Sequence, residues 1–488
     1  MIKSYSFSQN TLYLMLAYIV EKLLVLFYFI FLARYLGPEE FGIYSFAISF
    51  VAVFSVFLDL GFSTALVRET AKAKERTNEY LNNLLTFKFI TTIFTIFLIV
   101  LTINLLNYPP STRLLIYLAT FWIIFESFAA TFYASIRGWQ NLRYESIGLI
   151  LNKLSYIFLG FIFILLKLPL ITFIIPLIIG GLLYLIYPIF ITKKFFVFKP
   201  ILKKEIIFSF FKISLPLFFG IIFSILFSYI NTILVSYFSS DLAAGLFSAA
   251  FRIPSAILFL PAAFGASIFP VFSSLVKEGN KERLSSIFKK VFFYLTLIAI
   301  PITFGGIILG REIIHFIYGH DFIMAVTSFR ILIAIILFTF LDFLFSSLLT
   351  AFDKQTQNTI ARGVGLIVNI FLSFLLIPRL AHLGGAIALA IGFTTFFIIQ
   401  TILVLRIISI NFFRLIKKIS PIIFSSLIMC LLVYLIKERV HLIFSIFFGL
   451  IFYFLTLYLS GGIKKEDLKE IKSLIRSSLS IKTNEELK

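Results

Sequence analysis

Charged side chains stand deep inside long apolar runs of this chain, and they are the residues with which it could do chemistry. Lys22, Glu126, Arg252 and Asp342 lie deepest, with Glu21 and Asp59 nearer the ends of their runs. A charge at mid-span costs about 2.5–3.5 kcal/mol on insertion scales, so such residues face a bundle interior or an aqueous cavity. Lys22 and Arg252 are cations, one a point charge and the other a planar fork suited to oxyanions. The alternative is an ion pair between helices, for instance Lys22 with Glu126 or Asp59. Glu126 and Asp342, with Asp59 and Glu21 as further candidates, suit proton or cation coupling, because burial raises a carboxyl pKa; a structural salt bridge is the competing reading. Glu21 and Lys22 are adjacent and point about 100° apart around a helix. Lys88, Lys153 and Arg330 lie closer to run ends, where long side chains snorkel.

Positioning such groups requires membrane-spanning helices. The 488 residues are 60% hydrophobic and 14% charged, against about 25% charged in a soluble domain, and the mean hydropathy is +1.05. Long continuous apolar runs exclude the alternation of a β-barrel and point to an all-α polytopic membrane protein. The net charge of +20 matches the basic loops of such proteins and calls for no nucleic acid. Cys430, the single cysteine, can build neither a disulfide nor a thiolate metal site.

The opening stretch, 11–69, reads as two spans joined by a tight turn at Gly37-Pro38, since proline cannot continue the first helix. By run length about fourteen spans follow in all. They divide into residues 1–205 with six spans, 206–408 with six more, 409–460 with two, and a basic tail, 461–488, whose Leu468, Ile471, Ile475 and Leu479 recur at helical spacing. Pro254, Pro261 and Pro270 are expected to bend the eighth span. With both termini cytoplasmic, the cytoplasmic links hold about 30 Lys and Arg against about 7 outside.

The segment from Tyr35 through Gly42 to Ala47 resembles that from Tyr237 through Gly245 to Ala250. Both lie at the same end of a hairpin with an even number of spans between them, which is the mark of a parallel repeat about the membrane normal. The match puts Ser224 near Lys22, and Ser49 near Arg252. Two such lobes frame a central cleft and work by alternating access.

Arg34-Tyr35-Leu36-Gly37-Pro38-Glu39-Glu40-Phe41-Gly42-Ile43-Tyr44, with Asp59-Leu60-Gly61-Phe62 and Ala65-Leu66-Val67-Arg68-Glu69, resembles the N-terminal signature of the polysaccharide transporter family. These are O-antigen-type oligosaccharide flippases of the multidrug/oligosaccharidyl-lipid/polysaccharide exporter superfamily. The resemblance implies translocation of a polyprenyl-linked oligosaccharide across the cell membrane, with membrane lipids, a polysaccharide polymerase and glycosyltransferases as partners and no cofactor. Lys22 and Arg252 would then bind the lipid-linked pyrophosphate. A cation-coupled exporter of drugs or small solutes on the same scaffold is the alternative. A membrane glycosyltransferase or ligase is disfavoured: His315, His320, His382 and His441 show no ligand spacing, and no Gly-rich phosphate loop precedes a helix.

Overall fold

The computed structural model describes residues 7–408 and 412–462. The expected amphipathic tail beyond 462 lies outside the described residues. Every described element is helical, as a bilayer demands of a chain that must satisfy its backbone groups internally. Thirteen described stretches are long and apolar enough to span a membrane, and the first, Val20–Lys72, contains two crossings. It holds most of helix α1 (Phe7–Asp59), broken at Gly37, whose φ of 72° leaves the helical region. Glycine takes that conformation at little cost, and Pro38 then opens the second arm at a position that needs no N–H. The arms fold back on each other, with Phe29 of the first packed against Phe41 and Tyr44 of the second.

The first lobe continues through α2 (Phe62–Lys72), α3 (Thr77–Leu105), α4 (Pro110–Gly138), α5 (Arg143–Leu165) and α6 (Ile174–Thr192). The second comprises α7 (Lys204–Phe238), α8 (Asp241–Ile257), α9 (Phe259–Lys277), α10 (Lys281–Ile308), α11 (Gly310–Tyr318), α12 (Val326–Ala334), α13 (Ile336–Ala351), α14 (Gln355–Leu380) and α15 (His382–Ile407). Helices α16 (Phe412–Ile436) and α17 (Leu442–Leu459) are appended through α10, where the Tyr453 hydroxyl donates to the Leu297 carbonyl at 2.8 Å. The expected bend in the eighth span falls at Leu258, between Pro254 and Pro261, where a one-residue interruption that keeps helical dihedrals divides it into α8 and α9.

Two faces of the molecule matter below. The turn face carries Gly37 and Ser240. The basic face carries the connection from Lys193 to Lys204. That connection is pinned along α3: Asn82 Nδ2 donates to the Val197 carbonyl at 2.8 Å, and the Lys203 amide donates to Asn83 Oδ1 at 2.6 Å. The first turns of α7 accordingly pack on the first lobe, with Phe62 against Phe210 and Phe211.

At the turn face the lobes meet backbone to backbone. A Cβ on Gly42 would fall 1.7 Å from the Asp241 carbonyl oxygen, and one on Gly245 would fall 1.8 Å from that of Pro38. Only hydrogen fits at either position, as in close helix crossings through small residues. The step from Pro38 to Asp241 equals that from Gly42 to Gly245, so the contact is symmetric. The same step carries Ser45 onto Ser248, Ser49 onto Arg252 and Glu21 onto Ser224.

Candidate cleft and its charged groups

Arg252 reaches across from α8 into the first lobe just beneath the glycine contact. Its guanidinium carbon sits 3.4 Å from the ring centre of Phe29 and 5.5 Å from that of Phe41, a cation over aromatic faces. Tyr44, Tyr156, Tyr229 and Tyr318 surround it. Its Nε is buried with no hydrogen-bond partner, as are the hydroxyls of Tyr28, Tyr44 and Tyr318 and of the symmetry-related pair Ser45 and Ser248. Buried polar atoms are normally satisfied. This cluster therefore holds donor and acceptor capacity that the protein itself does not use.

Lys22 is exposed on α1 and forms no ion pair among the described residues. Its neighbour Glu21 turns the other way and faces Lys153 at 3.7 Å, while Lys153 also lies 3.6 Å from Glu126. Asn152 Nδ2 donates to Glu126 at 3.1 Å. The three charges thus form a triad from α1, α4 and α5. Lys153 does not snorkel, because two carboxylates hold it within the lobe.

The second lobe repeats the arrangement with different residues. Asp342 on α13 pairs with Arg362 on α14 at 3.2 Å, and Arg362 Nη1 donates to Ser224 Oγ of α7 at 2.8 Å. Ser224 thus stands where Glu21 stands in the first lobe, one residue from the position matched with Lys22 on sequence. Asp342 Oδ1 also accepts from Ser346 Oγ at 2.7 Å and Gln400 Nε2 at 2.8 Å. A carboxylate so occupied, with a guanidinium beside it, offers a cation less than the first-lobe triad does.

Asp59 lies elsewhere. Lys88, buried on α3, approaches it at 3.1 Å and donates further to Ser127 Oγ at 3.0 Å and Thr131 Oγ1 at 2.5 Å. The Ser63 hydroxyl also donates to Asp59. With its donors spent on α1 and α4, Lys88 ties those helices to α3, and the pair is a structural pin. His315 and His320 approach with ring centres 6.4 Å apart, but the described residues hold no group of three metal-ligating side chains.

One sealing element had no sequence signal. Helix α11 lies across the turn face, and Arg34 of α1 grips its C-terminal end: Nε donates to the Ile317 carbonyl at 2.7 Å and Nη2 to the Phe316 carbonyl. Cations at a helix C-terminus satisfy its free carbonyls and its dipole. On its other side Glu312 pairs with Lys437 at 3.4 Å, beyond the end of α16. Arg34→Ala is expected to loosen this strap. In a Cys430→Ser background, a cysteine placed at Ser45 should react about two- to fivefold faster with a membrane-impermeant thiol reagent, the effect of losing an exposed cap worth about 0.3–1 kcal/mol. Unchanged labelling would mean that the strap bears no load.

Two sets of membrane-length helices with charged groups held among them define the class, an all-α, multi-pass membrane protein. The chain belongs to the polysaccharide biosynthesis protein family, whose model matches residues 7–276, and the MatE model matches residues 216–375. The protein named "Probable low-salt glycan biosynthesis flippase Agl15" of Haloferax volcanii is 23% identical over 237 residues, 47% of this chain and 50% of that one. The chain therefore spans about half the length of this curated relative. Among solved structures, lipid II flippase MurJ in an inward closed conformation superimposes with TM-score 0.76 at 19% identity, covering 93% of this chain and 98% of that one. A multidrug resistance MATE transporter in an inward-facing conformation gives TM-score 0.62 at 16% identity, covering 81% and 96% respectively.

Proposed function

We propose that this protein flips a polyprenyl-linked oligosaccharide across the cell membrane by alternating access, with the basic face and both termini in the cytoplasm. One observation carries the reading. Lys153, Arg362 and Lys88 are each neutralised by a carboxylate, whereas Lys22 and Arg252 have no acidic partner among the described residues. Two uncompensated cations on opposing lobes suit a diphosphate that both can hold. The family assignment and the flippase role in the name of Agl15 support the same reading. Glu21 and Glu126, which share one lysine, are the candidates for coupling transport to a cation. No bond-making step is assigned to the chain. In the cell the substrate would come from glycosyltransferases and pass to a polymerase.

The test is translocation of a fluorescent polyprenyl-diphosphate oligosaccharide in proteoliposomes, followed by quenching from one side. Arg252→Ala and Lys22→Ala should each lose about tenfold or more in flux, the scale of one charge-assisted hydrogen bond at about 1.5–3 kcal/mol. Arg252→Lys should retain part of it. Normal flux in both alanine variants would sink the assignment. Efflux of cationic dyes by the wild type, with no lipid-linked substrate moved, would favour the small-solute exporter.

A further inference from the structure

The second lobe contains a cavity of about 420 Å³ lined by α9, α13 and α14, with the Asp342–Arg362 pair in its wall. Pockets that hold a small organic group run from roughly 300 to 1,000 Å³. Along α13, Asp342, Ser346 and Thr350 follow at every fourth residue, so they share one face, and Phe343 and Ser347 stand beside them. All five are half-buried, while Leu344, Phe345, Leu348 and Leu349 fill the core on the other side. This polar stripe faces the cavity rather than hydrocarbon. Across from it stand Ala262, Gly265 and Phe269 of α9.

The chemistry of this wall is specific in what it leaves free. Arg362 spends one N–H on Asp342 and one on Ser224, which leaves three of its five donors. The hydroxyls of Ser347 and Thr350 donate to the backbone carbonyls of Phe343 and Ser346 on their own helix, Ser347 also lying 3.3 Å from the Gly265 carbonyl of α9, and so keep their lone pairs as acceptors. Phe343 and Phe269 add apolar ring surface. The Asp342 and Arg362 charges cancel. An anion meets Asp342 and a cation meets Arg362, so neither is favoured over a neutral group that can both donate and accept.

We infer that this cavity is a sugar subsite, which takes an uncharged pyranose of the transported glycan while the diphosphate is held by Arg252 and Lys22. The inference rests on the flippase reading above and names where the glycan, as distinct from its anchor, is recognised. The two lobes then divide the labour: the second lobe's interior reads hydroxyls, and the first lobe's triad carries the surplus acid.

The experiment compares flux of two fluorescent substrates through the full-length protein in proteoliposomes. One is a polyprenyl-diphosphate oligosaccharide of neutral hexoses; the other is the same polyprenyl diphosphate without sugar. Ala262→Phe narrows the cavity and leaves the Asp342–Arg362 pair in place; Thr350→Phe does so from the opposite wall. Each variant is first checked for a monodisperse, wild-type melting profile, so that either one suffices. Both should lower the glycan-to-bare flux ratio about tenfold or more, as expected for loss of a built binding site, whereas Arg252→Ala lowers both fluxes together. If wild-type protein moves the glycan substrate and the two filled variants keep its ratio, the sugar subsite is wrong and the flippase reading stands. If wild-type protein moves neither substrate, the flippase reading fails and the subsite falls with it.

Discussion

Gly42→Ala is expected to hold the lobes apart at the turn face and to stop the transport cycle there. Its new methyl would land 1.7 Å from the Asp241 carbonyl oxygen, a backbone atom that cannot rotate away. Overpacking of this kind costs about 1–3 kcal/mol, which moves a two-state equilibrium roughly 5–150-fold. Gly245→Ala should do the same through the Pro38 carbonyl at 1.8 Å. The double variant should add little, because both relieve one contact. Faster labelling of a cysteine at Ser45, together with loss of flux, would report the open face. A folded Gly42→Ala protein with wild-type labelling and flux would show that the lobes do not need to touch here.

The second large effect is expected at Lys153. Lys153→Met would leave Glu21 and Glu126 facing each other across a site from which their shared cation, only 14% exposed, has been removed. Breaking a buried pair by deleting one partner costs about 3–5 kcal/mol. Low accumulation in the membrane or a sharply lowered Tm is the expected result. Adding Glu21→Gln and Glu126→Gln should restore folding but not flux. Arg362→Met should be milder, since Asp342 keeps the hydrogen bonds from Ser346 and Gln400. Equal Tm losses at the two positions would contradict the difference drawn between the lobes.

Spans, the hairpin at Gly37 and the proline-flanked interruption in the eighth span were legible because each depends on local chemistry: run length, a glycine with positive φ, a missing N–H. The glycine repeat was legible as well, although nothing in it showed that the two glycines touch. What could not be read was azimuth. Depth along a run tells how far a charge is buried, not which neighbour it faces, so Lys153 and Lys88 looked like snorkelling side chains and are instead paired. Arg362 went unnoticed because it stands at the start of the apolar run that opens at Ile360, where a long side chain reads as one that snorkels, whereas α14 begins a turn earlier, at Gln355. A comparison of the halves would have exposed both pairs. Glu126 and Asp342 lie on the fourth span of their lobes, Lys153 and Arg362 on the fifth, and Glu21 corresponds to Ser224. The strap made by α11 was hidden for another reason: it is held by Arg34 and by a distant lysine, contacts that exist only once the lobes are assembled.

The bare meeting of Gly42 with Gly245 also sets a scale of motion. At the glycines themselves no side chain stands between the two backbones, so this contact can serve as a fulcrum. By helix rise, Glu21 and its triad lie roughly 15 Å deeper than that point. A tilt of roughly 20° about it would displace the triad by about 5 Å, and the basic face, twice as far away, by about 10 Å. A small movement at the pivot is thus magnified along the helices into a displacement of about 10 Å at the basic face.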